Sequence, residues 1–308
     1  QVRYRLATAS PVTAELRLEA VTAATGRQAA RRTLTAPLAP GTTDGVVRLT
    51  VNSVQAWSPD QPAAGYRLRA TLLVAGQETD ARAVPCGAAL VRSRGGLLQI
   101  NGAPVQLRGL RMSGHAPTAG ACAPAEQYRR DMQSLRQAGF NAVMTDGPAP
   151  SELLLSSADA AGVYVIVSAP PAADGRPDLR GTVDAFGQHP CVIAWSGATA
   201  EEAVPAEVLA ADPSRLLFLR GGQDSLLRAP GNVLLRCADL TVDGAAPARW
   251  WEALGALESR HLPVLASDLS VSPAGPDGER AGLAMLRTMI ESLRRTTEFS
   301  LLGYFVRL

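Results

Sequence analysis

The hydrophobic pattern changes its period part-way along the chain, and that change divides the sequence. Up to about residue 90, apolar and polar residues alternate in short runs. These are Val2-Arg-Tyr-Arg-Leu6, Ala14-Glu-Leu-Arg-Leu-Glu-Ala20, Val46-Val-Arg-Leu-Thr-Val51 and Tyr66-Arg-Leu-Arg-Ala-Thr-Leu-Leu73. A period of two sets one face of each run on a core and the other in water, as antiparallel strands require. Thr25-Gly26, Ala39-Pro40-Gly41 and Ala75-Gly76 supply turns between them. Short strands at this spacing predict a β-sandwich of immunoglobulin-like size over residues 1–90.

Beyond a junction at Val91 the pattern is different. Asn101-Gly102 predicts a tight hairpin between two apolar runs and leads into a first strand near Leu107-Arg108-Gly109. Continuous apolar runs of strand length then follow: Phe140–Met144, Val163–Ser168, Cys191–Trp195, Leu216–Arg220, Val233–Cys237, Pro263–Asp268 and Leu301–Val306. Helix-like stretches intervene at Pro124–Ala138, Ser151–Ala161, Pro247–Glu258 and Leu283–Arg295. Strands that are apolar on both faces are parallel and covered by helices. Eight of them predict a compact (β/α)8 barrel over residues 91–308, with its chemistry at the C-terminal strand ends.

Composition narrows the function classes. The net charge of +2 is too small to imply nucleic acid or an anionic membrane. All 30 basic residues are arginine, scattered along the chain, which fits a GC-rich bacterial genome. No run of about 18 uncharged apolar residues occurs, so no direct membrane insertion is expected. The chain starts at Gln1 with no signal-like segment and reads as a processed product or a fragment. Cys86, Cys122, Cys191 and Cys237 lack metal-type spacing, so neither zinc nor another cofactor is expected. Cys191 and Cys237 lie in apolar strand runs and read as buried thiols.

Several motifs carry a resemblance. Leu98-Gln-Ile-Asn101-Gly102-Ala-Pro104-Val105-Gln-Leu107-Arg108-Gly109 closely resembles the Leu-Asn-Gly-Lys-Pro-Val-Leu-Leu-Arg-Gly that opens the barrel of glycoside hydrolase family 2. Ala56-Trp57-Ser58-Pro59-Asp60-Gln61-Pro62, with Tyr66 after it, resembles the Leu-Trp-Ser-Pro-Glu-Asn-Pro-Tyr of the sandwich that precedes it. Gly139-Phe140-Asn141-Ala142-Val143 and Asp212-Pro-Ser-Arg215 match that family's second strand and its approach to strand five. His189-Pro-Cys-Val-Ile-Ala-Trp195-Ser196 is similar to its fourth strand, His-Pro-Ser-Ile-Ile-Trp-Ser-Leu-Gly-Asn-Glu. The resemblance implies a β-galactosidase or β-glucuronidase scaffold, with glutamates at the ends of strands four and seven.

The residues at those ends depart from the pattern. Aligned without a gap from Trp195, the family's Asn falls on Thr199 and its acid/base Glu on Ala200, which has no proton to give. Glu201 takes that role only if the loop holds a one-residue insertion; otherwise Glu201 and Glu202 are first-turn acids of a helix. At strand seven the family's Gln-Ser-Glu becomes Ala266-Ser267-Asp268, which puts Asp268 at the nucleophile position, one methylene short. Arg111 and His115 keep comparable chemistry after strand one, whereas the Arg and His of strand two become Met144 and Gly147, with Asp146 between them. A retaining glycosidase needs two carboxylates roughly 5–5.5 Å apart. The expectation is therefore a degenerate, non-catalytic protein, serving as a carbohydrate-binding or structural subunit in a periplasmic or extracellular assembly. Its candidate substrate contacts are Arg111, His115, Asp146, Trp195 and Thr199. The alternative is an active retaining β-glycosidase with Asp268 as nucleophile and Glu201, or another carboxylate such as Asp239 or Asp146, as acid/base.

Overall fold

A computed structural model describes residues 2–94, 97–113, 123–146, 149–199, 212–220, 234–243, 264–272, 284, 287–288, 290–291 and 301–306. The chain divides into two compact units, the first of residues 1–88 with 188–190 and the second holding the remainder.

The first unit is a two-sheet sandwich. Strands β1 (Val2–Thr8) and β4 (Gly41–Val47) pair antiparallel, opposite a four-stranded sheet. That sheet runs in the order β3 (Gln28–Leu38), β2 (Val12–Thr22), β5 (Tyr66–Val74), β6 (Gln77–Cys86). Leu16, Leu18 and Val47 form the buried contact between the sheets, with Val2, Tyr4, Leu34 and Ala70 packed on it. The alternation in β2 is followed closely: Ala14, Leu16, Leu18 and Ala20 are buried, and the charged residues between them are not. Tyr4 lies across Gly45, its register partner, where a Cβ would stand 2.2 Å from the ring. Trp57 is buried and Tyr66 Oη accepts from the Gln55 N–H at 2.7 Å, so the Trp-Ser-Pro segment is a core anchor.

The second unit opens with a small sheet of β7 (Val91–Arg94), β8 (Leu97–Ile100) and β9 (Ala103–Pro104). Asn101 and Gly102 join β8 to β9 with φ of 54° and 85°, the positive values a tight hairpin turn requires. Eight parallel strands then close into a barrel: β10 (Leu107–Ser113), β11 (Ala142–Asp146), β12 (Tyr164–Ser168), β13 (Val192–Thr199), β14 (Leu216–Arg220), β15 (Leu234–Asp243), β16 (Val264–Ser272) and β17 (Leu301–Val306). Helix α1 (Ala125–Gln137) buries Tyr128, Met132 and Leu135, a spacing of four and three that makes one stripe. Helix α2 (Glu152–Ala161) is capped by Ser151, whose side chain accepts the Leu154 N–H, and ends at Gly162 in the left-handed region (φ 70°). Helix α3 (Leu179–Phe186) starts at Asp178, whose Oδ1 accepts the Gly181 N–H. The described residues between 284 and 291 are helical, whereas the helix expected at Pro247–Glu258 lies outside the described residues.

Inward and outward faces follow from two contacts. Cys191 Sγ reaches the Leu155 carbonyl of α2, so it points out of the barrel. Farther along β13, past an irregularity at Ile193, Trp195 lies under Arg215, which also bonds the Gly187 carbonyl at the end of α3; its indole is thus on the helix side, and its neighbours Ala194 and Ser196 turn inward. Burial, with Asp159 beside it, pushes the Cys191 thiol well above its ordinary pKa. On the inside, Gly109 of β10 adjoins Phe305 of β17, and a Cβ on Gly109 would fall 2.2 Å from the phenyl ring. This close approach lets the last strand meet the first. Asn141 ties the bottom of the barrel: its Oδ1 accepts from the Arg108 N–H at 2.7 Å and its Nδ2 donates to the Gln106 carbonyl at 2.9 Å.

Gly109→Ala should overpack this seam and lower unfolding free energy by about 1–3 kcal/mol. Urea unfolding of Gly109→Ala and of Gly109→Ala/Phe305→Leu checks the cause, because the second change should restore part of the loss.

Candidate active site at the mouth of the barrel

Parallel pairing brings all eight C-terminal strand ends to one face of the barrel. Neighbours in parallel register share a side of the sheet. Arg111 pairs with Met144, Met144 with Ile166 and Ile166 with Ala194, so all four face inward with Ala194. Asp146, two residues after Met144, shares that side, as does Ser168, the register partner of Ser196. Four consecutive strands thus present Arg111, Asp146, Ser168 and Ser196 as an inward-facing polar arc.

Arg111 and Asp146, both expected to contact substrate, are joined to each other. The guanidinium meets the carboxylate at both oxygens: Nε donates to Oδ2 at 2.7 Å and Nη2 donates to Oδ1. The Arg111 side chain is only 4% exposed and that of Asp146 25%. A two-pronged pair of this kind is strong and planar, and it neutralises both charges locally. Next along the arc, the Ser168 N–H donates to Thr145 Oγ1 at 3.0 Å, while Ser168 Oγ is buried with no partner among the described residues. Ser196 is buried. The sequence reading did not nominate these two serines, although a lone polar residue closing an apolar strand was the available signal.

Trp195 is placed elsewhere. Its indole turns outward, 2% exposed, and donates Nε1–H to Asp212 Oδ2 at 3.0 Å. Arg215 lies over the ring at 5.5 Å and donates to Asp212 Oδ2 at 2.6 Å, to the Val192 carbonyl at 2.6 Å and to the Gly187 carbonyl at 3.0 Å. Ser214 donates both its N–H and its hydroxyl to Asp212 Oδ1. Burial raises the Asp212 carboxyl pKa, but the Arg215 charge and the hydrogen bonds from Ser214, Arg215 and Trp195 outweigh it and hold the group below its usual range. Here Trp195 fixes strands rather than lining the mouth.

Thr199 ends β13 beside Arg220, past a bulge at Gly197. Gly197 has φ of 145°, and a Cβ there would stand 3.1 Å from Pro177 and 3.2 Å from Ala169. The backbone puts Asp268 within β16 as the register partner of Asp239 in β15, just past an irregularity in that ladder. His115 and Glu201 lie outside the described residues, as do Gly147 and Ala200.

Comparison with known proteins agrees with this architecture. Residues 91–185 match the family model described as Glycosyl hydrolases family 2, TIM barrel domain. A β-galactosidase of Yersinia enterocolitica (serotype O:8 / biotype 1B) is 31% identical over 191 residues, covering 54% of this chain and 18% of that protein. One from Pectobacterium atrosepticum is 28% identical over 200 residues, covering 57% and 19%. The chain spans less than a fifth of the length of these curated relatives. In fold, it is similar to Bacteroides uniformis β-glucuronidase, with TM-score 0.78 at 17% identity, covering 99% of this chain and 43% of that one. A family 2 member from Bacteroides cellulosilyticus gives TM-score 0.74 at 20% identity, covering 99% and 42%. The chain is thus similar to glycoside hydrolase family 2 along residues 91–185, and its fold is a β-sandwich with a TIM barrel.

Two outcomes test the geometry. Asp146→Ala leaves the buried Arg111 guanidinium without that carboxylate and should destabilise the protein by roughly 3 kcal/mol in urea unfolding. Replacing both, as Arg111→Met/Asp146→Ala, should lose less than the sum of the single changes. The second outcome concerns pH. A carboxyl held low in the folded state binds its proton more readily once unfolded, at about pH 3.9. Its stabilising contribution is therefore complete above that pH and is lost as pH falls toward the folded value. Stability should decline below about pH 4, and Asp212→Asn, though less stable at neutral pH, should show a shallower decline.

Proposed function

We propose that this chain is a non-catalytic relative of the family 2 glycoside hydrolases, acting as a carbohydrate-binding or structural subunit in a periplasmic or extracellular assembly. The observation that carries the reading is Ala200, which stands where the ungapped alignment from Trp195 puts the acid/base glutamate. Retaining hydrolysis needs one carboxyl to protonate the leaving oxygen and another to attack. An alanine can do neither. Asp268, at the nucleophile position, is one methylene shorter than glutamate, and a displacement of about 1 Å in an attacking atom can cost on the order of 100-fold in rate. The mouth supports the same reading, because Arg111 and Asp146 spend their charges on each other.

Two features favour the alternative, an active retaining β-glycosidase. If Gly197, the bulged residue of β13, is the one-residue insertion, then Glu201 moves into the family's glutamate position. In addition, Asp239 and Asp268 are register partners on adjacent strands, about 4.8 Å apart in backbone.

The deciding experiment is turnover of a panel of aryl β-glycosides by the protein and by Asp268→Asn, Glu201→Gln and Asp239→Asn. No hydrolysis above background by any of them, with folding confirmed by circular dichroism, is the expected result. Hydrolysis by the unmodified chain that Asp268→Asn abolishes would overturn the proposal. Loss in Glu201→Gln or in Asp239→Asn would then name the acid/base.

A further inference from the structure

We propose that the open side of the β-sandwich docks an acidic, extended segment of a protein partner, added as a strand beside β3. This site lies in the first unit and does not depend on what the barrel mouth binds.

Among the described residues, two strand edges are unpaired on this side. Strand β3 is outermost in the four-stranded sheet and bonds there to β2 alone, while β4 bonds to β1 alone. Between them is a cleft of about 460 Å³ lined by Arg32, Leu34, Val46, Val47 and Arg48. Arg32 and Leu34 are the register partners of Leu18 and Leu16, so both belong to the core-facing side of their sheet. The cleft therefore has an apolar floor continuous with the sandwich core. Val46 stands at its rim, 58% exposed.

Charge selects the occupant. Strand β3 contains Arg31 and Arg32 and no acidic residue. Arg31 is paired with Glu19 at 3.6 Å, whereas neither Arg32 nor Arg48 has a carboxylate partner among the described residues. An inward-pointing charge on an edge strand opposes pairing with an identical edge. A second copy would set arginine against arginine at this cleft. A strand carrying carboxylates at alternate positions meets the opposite condition: its backbone continues the β3 ladder, and its acidic face, turned to the cleft on the side of Arg32 and Leu34, brings carboxylates to Arg32 and Arg48 and lays their methylenes on Leu34. Pro37 has no N–H to donate, so the ladder would run along Gln28–Ala36.

The probe is a fluorescein-labelled octapeptide of alternating valine and glutamate, with a valine–arginine octapeptide as control, followed by fluorescence anisotropy with the full chain. The expected result is saturable binding of the acidic peptide only, weakened at high salt. Arg32→Glu/Arg48→Glu should lose at least tenfold in affinity and gain binding to the basic peptide. Hydrogen exchange should slow across Gln28–Ala36 when the acidic peptide is bound. Both arginines are exposed, so thermal unfolding of the double variant should match that of the parent; if it does not, Arg32→Gln/Arg48→Gln takes its place and should also lose at least tenfold. No saturable binding, equal affinity in the double variant, or binding without protection of β3 would overturn the proposal. A dimer in light scattering that the double variant dissociates would assign the face to a second copy and overturn it as well.

Discussion

One carboxylate decides how the middle of the barrel is joined. Asp212 accepts from the Trp195 indole, the Arg215 guanidinium and two donors of Ser214, while Arg215 also donates to carbonyls of Val192 and Gly187. The knot thus binds β13, the end of α3 and the start of β14 through one buried ion pair. Such a pair does not guarantee net stability, because desolvating both charges opposes their attraction. What it imposes is geometry. A guanidinium presents its donors in a fixed fork, and here three of its nitrogens are committed to different chain segments. No flexible ammonium could hold the same three points at once.

Fixing Trp195 outward has a consequence at the mouth. Strand side chains alternate, so an outward indole at 195 forces Ala194 and Ser196 inward. A slip of one residue would reverse every position. The bulge at Gly197 then takes up one extra residue against β14, and the chain beyond it leaves the strand in a new phase. The polar arc of Arg111, Asp146, Ser168 and Ser196 is thus set from below, by packing between strands and helices, before any ligand is considered.

The architecture was readable where physics leaves a periodic trace. The eight apolar runs became the eight barrel strands, several with shifted ends: β13 extends to Thr199 and β15 to Asp243, because a ladder continues for as long as its neighbour offers partners. Strand β3 left no such trace, since an edge strand with one lightly covered face mixes Ala, Arg and Thr. Strand β6 is polar on both faces for the same reason, and the run expected at Val46–Val51 instead ends its pairing at Val47. Helix α3 was missed because Gly181 interrupts its short apolar stripe. At the site, Arg111 and Asp146 were recognised as candidates, but their pairing was invisible: 35 residues separate them, and only the parallel register makes them neighbours. Trp195 belonged to the fourth-strand motif and was expected at the mouth, and its indole turns to the knot instead.

Scaffold and chemistry separate along the barrel axis for a physical reason. Motifs such as Asn141, Gly109 and the Asp212–Arg215 pair act within the backbone and core, where a changed atom lowers folding stability directly. Residues at the strand ends lie above the closed ladder, so they can change while the ladder beneath them persists. Catalysis by a charged transition state requires groups held in readiness for charge that is not yet present. On the proposed non-catalytic reading, the Arg111–Asp146 pair belongs with the scaffold: each group holds the other, and their attraction must be weakened before either serves a substrate.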